Sequence, residues 1–168
     1  MANLDISINN NQDRFEINTE QVNYIAEKML EYIIEDEDLR ESSVFWNIDL
    51  EEFSIGIDVL FCDDAEIETL NISFRDKSCP TDVLSFALFA DNPDIRFIAD
   101  SHVSLGEVVI STETAMIQAK ENSKTFEQEV YFLLSHGLLH LLGFDHPDEG
   151  TLEDMLALQQ EMTDFALK

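Results

Sequence analysis

The stretch LGEVVIS, residues 105–111, is predicted to form a β-strand, and its consecutive apolar residues indicate burial on both faces of a sheet. Three further strands are predicted before it, at residues 4–8, 55–61 and 82–86. LGEVVIS is therefore the fourth strand of the chain. Residues 91–102, which precede it, lack regular periodicity and contain Pro93, so we expect a loop there.

Helices are predicted from apolar residues at helical spacing and from capping residues at the helix starts. They span residues 22–33, 63–74, 112–121, 126–142 and 151–166. Asn18, Asp63 and Thr125 are the expected caps, each with a polar or acidic residue three positions later. The acidic stretch IIEDEDLRESS is expected to end the first helix. Early strands, late helices and connecting helices indicate an α/β or α+β fold of sheet and helices.

Length and composition predict a single globular domain over residues 1–168. The N-terminal residues MANLDISINN lack the features of a secretion signal, and no stretch is apolar enough to span a membrane. We therefore expect a soluble, cytoplasmic protein without a membrane partner. Cys62 and Cys79 lie in separate segments without CxxC spacing, and both are expected to be free thiols.

The chain is strongly acidic, with 36 Asp and Glu against 9 Lys and Arg and a formal net charge of -27. This charge repels polyanions at long range, so a broad nucleic-acid footprint is excluded. A site for a polyanion would have to be local. Otherwise the acidic residues serve as a solvating surface.

The segment SHGLLHLLGFDH, residues 135–146, contains three of the four histidines of the chain. On a helix His136 and His140 lie on one face, one turn apart. Gly143 is expected to end the helix in a left-handed conformation and to let the chain return His146 towards the other two. Three imidazoles without a fourth protein ligand are typical of a catalytic zinc site, although nickel or copper could also bind. The alternative is a set of core histidines with hydrogen-bond partners.

The spacing HxxxHxxGxxH is that of the zinc helix of metzincin peptidases, except that Gly137 replaces their catalytic glutamate. Because that glutamate is the general base, peptide hydrolysis in the usual manner is disfavoured. Glycine also weakens a helix by about 1 kcal/mol relative to alanine. A close approach of substrate or of another backbone segment is the expected reason for Gly137.

Three motifs together resemble the YbeY-type rRNA maturation factors, a family of bacterial zinc-dependent endoribonucleases. HGLLHLLGFDH matches the family pattern HGxLHLxGYDH, and LGEVVIS follows its LGDIVIS. NISFRDKSCPTDVLSF, residues 71–86, matches a stretch in which an arginine precedes PTDVLSF. The resemblance covers about residues 63–161. Glu107, Ala87 and Phe144 replace the usual Asp, Pro and Tyr, and Ala87 leaves the conformation after the third strand open.

The resemblance implies a mostly parallel four-stranded sheet with one antiparallel strand, packed with about five helices. It implies that His136, His140 and His146 bind zinc, and that Arg75 and His136 belong to the catalytic site. The implied task is processing the 3′ end of small-subunit rRNA and removing defective ribosomes. Single-stranded RNA is the implied substrate, and a small-subunit ribosomal protein and a ribosome-associated GTPase are the implied partners.

Zinc held by three imidazoles lowers the pKa of its bound water to about 7, so a strong protein base is not required. Arg75 is the candidate group that stabilises negative charge on the phosphoryl oxygens, and its alternative role is a surface ion pair. Asp145 either orients an imidazole, accepts a proton or caps the turn after Gly143. Lys77 is a candidate phosphate contact, and Lys124 is a candidate contact for flanking RNA.

Two other functions remain open at this point. One is a zinc peptidase, which the histidine spacing suggests and Gly137 opposes. The other is a non-catalytic assembly factor with structural zinc, which the lack of a fourth protein ligand opposes, because structural sites are normally closed.

Overall fold

The computed structural model describes residues 2–92, 98–145 and 147–168. The strands are β1 Asn3–Asn10, β2 Ser54–Cys62, β3 Val83–Phe86, β4 Ile98–Ala99 and β5 His102–Ser111. The helices are α1 Thr19–Glu35, α2 Glu37–Ser42, α3 Asp64–Arg75, α4 Thr112–Glu121, α5 Phe126–Leu141 and α6 Glu149–Ala166, and Val44–Asn47 forms a 3-10 helix. Within the described residues, no helix is both long and apolar enough to cross a membrane.

The main sheet has the strand order β1-β2-β5-β3. β1 runs parallel to β2, and β2 runs parallel to β5, whereas β3 is antiparallel to β5. The expected mostly parallel four-stranded sheet with one antiparallel strand is confirmed. The two-residue strand β4 also pairs with β5 in antiparallel direction. Part of the predicted loop at residues 91–102 is therefore strand, because Ile98–Ala99 forms β4 and His102 begins β5.

β5 lies inside the sheet, and the expected burial of its apolar run on both faces is confirmed. Val108 and Ile110 belong to the large core that residues of α1, α5 and α6 help to form. Val109, between them, packs into a second cluster with Ile67 of α3. All three β5 residues are fully buried. Because successive side chains of a strand point to opposite faces of the sheet, β5 packs against helices on both faces.

The helix starts follow the predicted capping chemistry. The side chains of Asn18 and Asp63 accept hydrogen bonds from backbone N–H groups three residues later. Thr125 and Gln128 form a complete capping box at the start of α5. The acidic stretch ends α1 as expected, but Asp36 then caps the additional short helix α2.

The helix α5 packs into the hydrophobic core through its apolar face. Leu134, Leu138 and Leu139 are fully buried, and burying each such side chain contributes about 1.5–3 kcal/mol. Gly137 lies on the same buried side. A Cβ atom at this position would overlap both methyl carbons of Val108. The expectation of a substrate or backbone approach at Gly137 is therefore wrong, because a side chain of the central strand occupies that space.

Candidate active site

A cleft of about 880 Å³ opens between the C-terminal half of α5 and the segment that joins α3 to β3. One wall contains His136 and His140 of α5, followed by Gly143. The opposite wall contains Arg75, the last residue of α3, and Lys77. The structure therefore brings two predicted metal ligands and the predicted catalytic arginine to one cavity.

The two histidines are arranged to converge on one point. Their side chains are half-buried, and their Nε2 atoms lie 3.0 Å apart. Two nitrogens that bind one zinc ion at about 2.0–2.1 Å each must lie within about 4.2 Å of one another. The observed separation meets this condition, and neutral imidazoles are suitable zinc ligands. The pair therefore fits a shared metal ion.

The third predicted ligand, His146, lies outside the described residues. Within residues 2–92, 98–145 and 147–168, no group of three His, Cys, Asp or Glu side chains is placed to hold a metal ion. Gly143 has a φ of +91°, which confirms the predicted left-handed turn after α5. Phe144 and Asp145, which follow this turn, line the cleft. The role of Asp145 stays a prediction.

The His136 side chain is held from outside the cleft by a residue that the sequence did not reveal. Its Nδ1 atom lies 3.2 Å from Oε1 of Gln159, a fully buried residue of α6. The Nε2 atom of Gln159 donates a hydrogen bond of 3.4 Å to the carbonyl of Phe132. A polar residue within the apolar stripe of α6, between Met155 and Met162, was the available signal.

Arg75 is exposed and extends along the edge of β3. Its Nη2 atom donates a 3.0 Å hydrogen bond to the carbonyl of Ser85. The alternative role as an ion pair is not observed: among the described residues, Arg75 pairs with no carboxylate. The guanidinium has five N–H donors and one of its nitrogens makes this bond, so the side chain is anchored and retains donors for an anion.

The segment after Arg75 is shaped by local hydrogen bonds. Asp76 adopts a left-handed conformation with a φ of 54°, which ends α3. The buried Asn71 donates from its amide to the carbonyl of Cys79, at 2.9 Å, and so holds the next residues against α3. Ala87, for which the family has Pro, is buried below the cleft and leads into a turn at residues 88–90.

The two lysine candidates differ. Lys77 is exposed and lines the cleft beside Arg75. Lys124 instead lies with its Nζ atom 4.2 Å from the centre of the Phe132 ring and 3.9 Å from Glu129 Oε2. It therefore lies against the first turns of α5, the helix that follows it, and does not line the cleft. Arg75 and Lys77 give the cleft a local positive wall in a chain whose net charge is -27.

The cysteines are not paired with each other. Cys79 is exposed at the cleft, whereas Cys62 is buried at the end of β2. Burial, followed by the negative charges of Glu66 and Asp63, raises the pKa of Cys62 to about 12. The expectation of two free thiols is confirmed.

Comparison with known proteins relates this chain to a family. A family model described as endoribonuclease YbeY matches residues 7–166. A protein named endoribonuclease YbeY from Synechococcus sp. strain CC9605 is 50% identical over 112 residues, which are 67% of this chain and 65% of that protein. The Gloeobacter violaceus protein of the same name is 42% identical over 118 residues, 70% of this chain and 60% of its own length.

A solved structure has a similar fold. The solution structure of TM1509 from Thermotoga maritima aligns with a TM-score of 0.58 and 25% sequence identity. The alignment covers 96% of this chain and 88% of the Thermotoga protein. The fold is thus similar over nearly the whole chain, whereas the two curated relatives above are matched over less than two thirds of their own length.

Proposed function

Since the chain belongs to the YbeY family, we propose that it is a metal-dependent endoribonuclease that cleaves single-stranded RNA. The observation that carries this proposal is the meeting of His136, His140 and Arg75 in one cleft. A converging imidazole pair and an anchored guanidinium suit metal-dependent phosphodiester cleavage, because one can bind a metal ion and the other a phosphate.

The metal in this proposal is zinc, held by His136, His140 and His146. The chemistry that zinc supplies when bound is Lewis acidity, which polarises a phosphoryl oxygen and makes water more acidic. Gly137 offers no side chain as a general base. The remaining task of the protein is to orient the imidazoles and the RNA. The His136 ring is oriented by Gln159 on one side and by His140 on the other.

Arg75 supplies the positive charge for the scissile phosphate. Negative charge increases on the phosphoryl oxygens during cleavage, and a planar guanidinium can donate two parallel hydrogen bonds to them. Its bond to Ser85 holds the guanidinium at the cleft wall before RNA arrives. Lys77 extends the positive wall for a neighbouring phosphate.

The natural substrate in this proposal is the 3′ end of small-subunit rRNA, cleaved during maturation and in the removal of defective ribosomes. The net charge of -27 weakens encounter with free RNA, since only a small wall of the protein is positive. In this proposal, partner proteins bring the RNA to the cleft and so compensate for the weak encounter. A small-subunit ribosomal protein and a ribosome-associated GTPase are the proposed partners.

A peptidase is the second candidate, because β3 is an edge strand beside the histidine pair. Such an edge can bind an extended peptide through its backbone groups. Here the carbonyl of Ser85 already accepts a hydrogen bond from Arg75, and Gly137 replaces the glutamate that a peptidase needs. Both features favour RNA over peptide.

The proposal is tested by cleavage of a labelled single-stranded RNA from the small-subunit rRNA 3′ end. Zinc-loaded wild type should cleave it, and His140→Ala should lose cleavage because the metal pair is broken. His102→Ala is the matched control, since His102 lies on β5 and bonds to Ser54 rather than facing the cleft. This variant should cleave as wild type does. Circular dichroism checks that all three proteins are folded.

Equal cleavage by wild type and His140→Ala would contradict the proposal, because the activity would then not depend on this site. Zinc-dependent cleavage of casein with intact RNA would instead favour the peptidase. The assembly-factor alternative would be favoured if His140→Ala unfolded while an Arg75 variant without cleavage activity still supported rRNA maturation in cells.

A further inference from the structure

We propose that Gln159 is a positioning residue that fixes the tautomer of His136, so that the Nε2 lone pair of this histidine faces the cleft. The inference deepens the proposed function and rests on the proposed metal site. Gln159 lies on α6 and outside the cleft wall, and it reaches His136 from behind α5.

The orientation of the Gln159 amide follows from its two partners. The carbonyl of Phe132 can only accept a hydrogen bond, so the NH₂ group of Gln159 faces it, at 3.4 Å. The amide oxygen Oε1 then faces Nδ1 of His136, at 3.2 Å. An amide oxygen can only accept, so the proton of the neutral imidazole lies on Nδ1.

This proton position determines which nitrogen of His136 can bind a metal. With Nδ1 protonated, Nε2 carries the lone pair. The Nε2 atom is the one that lies 3.0 Å from Nε2 of His140. Metal-binding histidines commonly donate their other ring N–H to a fixed acceptor, which sets the tautomer and makes the ligand more basic.

The burial of Gln159 indicates that this bond has a role beyond packing. Gln159 is fully buried on a helix face that also contains Met155, Met162, Ala166 and Thr163, and the Thr163 hydroxyl bonds within its own helix to the carbonyl of Gln159. A buried amide costs free energy unless it is hydrogen-bonded, whereas an apolar residue would fill the position without that cost. Gln160 is exposed and bonds to Asp164 of its own helix, so the two neighbouring glutamines have separate surroundings.

The experiment compares zinc affinity among variants of α6 by competition with a chromogenic chelator. Gln159→Met and Gln159→Leu remove the acceptor with two different apolar shapes, and each should weaken zinc binding by about 10- to 100-fold. Gln159→Glu keeps an acceptor beside Nδ1 but loses the donor to the Phe132 carbonyl, so it should bind zinc more tightly than either apolar variant and less tightly than wild type. Gln160→Leu is the matched control and should also bind zinc as wild type does. Thermal unfolding without metal identifies any variant that has lost its fold.

A second measurement reports the tautomer directly and needs no metal. Nitrogen-15 NMR of the metal-free protein should show His136 protonated on Nδ1 in wild type and Gln159→Glu. In Gln159→Met and Gln159→Leu the population with the proton on Nε2 should increase. A destabilised but correctly oriented site would not change this spectrum, so the measurement separates positioning from packing.

The possible outcomes separate this inference from the proposed function. Equal zinc affinity of wild type and both apolar variants, or an unchanged His136 tautomer in them, would overturn the role of Gln159 alone. A wild-type protein that binds no zinc would overturn the proposed metal function, whereas the spectrum of the metal-free protein would still decide the role of Gln159. Weaker zinc binding in both apolar variants than in Gln159→Glu, together with the expected tautomer change, would support that role.

Discussion

The two walls of the cleft are built in different ways. The histidine wall belongs to α5, whose Gly137 packs directly onto Val108 and whose His136 is bonded to the buried Gln159. The arginine wall is the exposed end of α3 and the segment after it, where Arg75 is held by one carbonyl of an edge strand.

This difference shows how the site divides its tasks. The histidine wall, where we propose the metal site, is fixed by the packing of the core, so its geometry exists before any ligand binds. The arginine wall, where we propose the phosphate contact, is exposed, so its donors can reach a substrate that arrives from solvent. Metal binding and RNA cleavage should therefore respond separately to changes in the two walls.

The largest effect is expected on the arginine wall. Arg75→Ala should reduce the rate of single-turnover RNA cleavage by about 100- to 1000-fold, because a donor to the charge developing on the phosphate is removed. Zinc affinity should not change, since the histidine wall is untouched. Arg40→Ala is the matched control: Arg40 also donates to a backbone carbonyl, that of Ile34, but it lies in a different cavity. Reduced zinc affinity in Arg75→Ala would contradict the separation of the two walls.

A smaller effect is expected from added volume behind the histidine wall. Gly137→Ala should lower the free energy of unfolding by about 1–3 kcal/mol, because its methyl group overlaps buried Val108. Gly150→Ala is the control, since a methyl group there meets only Asp148 Oδ1, at 3.5 Å, and stability should not decrease. Urea unfolding measures both. A loss of stability in the Gly137→Ala, Val108→Ala double variant that is smaller than the sum of the two single losses would confirm the contact, and unchanged stability of Gly137→Ala would refute it.

The smallest effect concerns a carboxylate behind the arginine wall. Glu107 of β5 lies opposite Phe86 of β3 and Asp58 of β2. Burial, followed by the negative charges of Asp58 and Glu66, raises the pKa of Glu107 above its ordinary value of 4.5. The folded state therefore binds this proton more tightly than the unfolded chain, and the charged form destabilises the fold above the folded pKa. This penalty disappears as the pH falls below the unfolded pKa.

Glu107→Gln should consequently raise the melting temperature near neutral pH and leave it unchanged at a pH of about 4. In a protein that already carries Asp58→Asn, the same substitution should raise the melting temperature less, because one of the repelling charges is gone. Thermal unfolding at the two pH values measures the effect. A Glu107→Gln protein that is less stable than wild type near neutral pH would show that this carboxylate stabilises the fold instead.

The histidine wall was largely predictable from the sequence. The four-residue spacing of His136 and His140, the cap at Thr125 and the left-handed Gly143 depend on local geometry, which short segments determine. The reason for Gly137 was not predictable, because Val108 contacts it from a strand that is distant in the chain. Gln159 was missed for the same reason, although its polar side chain interrupts an apolar stripe.

The arginine wall was predicted only from the family resemblance. Nothing local to Arg75 indicates that its guanidinium reaches the same cleft as the histidines, since this depends on the pairing of β3 with β5. The resemblance implied one antiparallel strand without saying which strand it is, and the four residues of β3 contain no signal of direction. The helix α2 was missed because its six residues include no buried residue and thus no apolar stripe.

In the proposed function, RNA cleavage depends on a metal ion bound by the histidine wall. The most direct test removes metal from the wild-type protein with a chelator and then adds zinc in steps, while bound zinc and the rate of single-stranded RNA cleavage are both measured. We expect no cleavage without metal and a rate that rises in proportion to bound zinc until each chain holds one ion. Undiminished cleavage by the metal-free protein would contradict the proposed function.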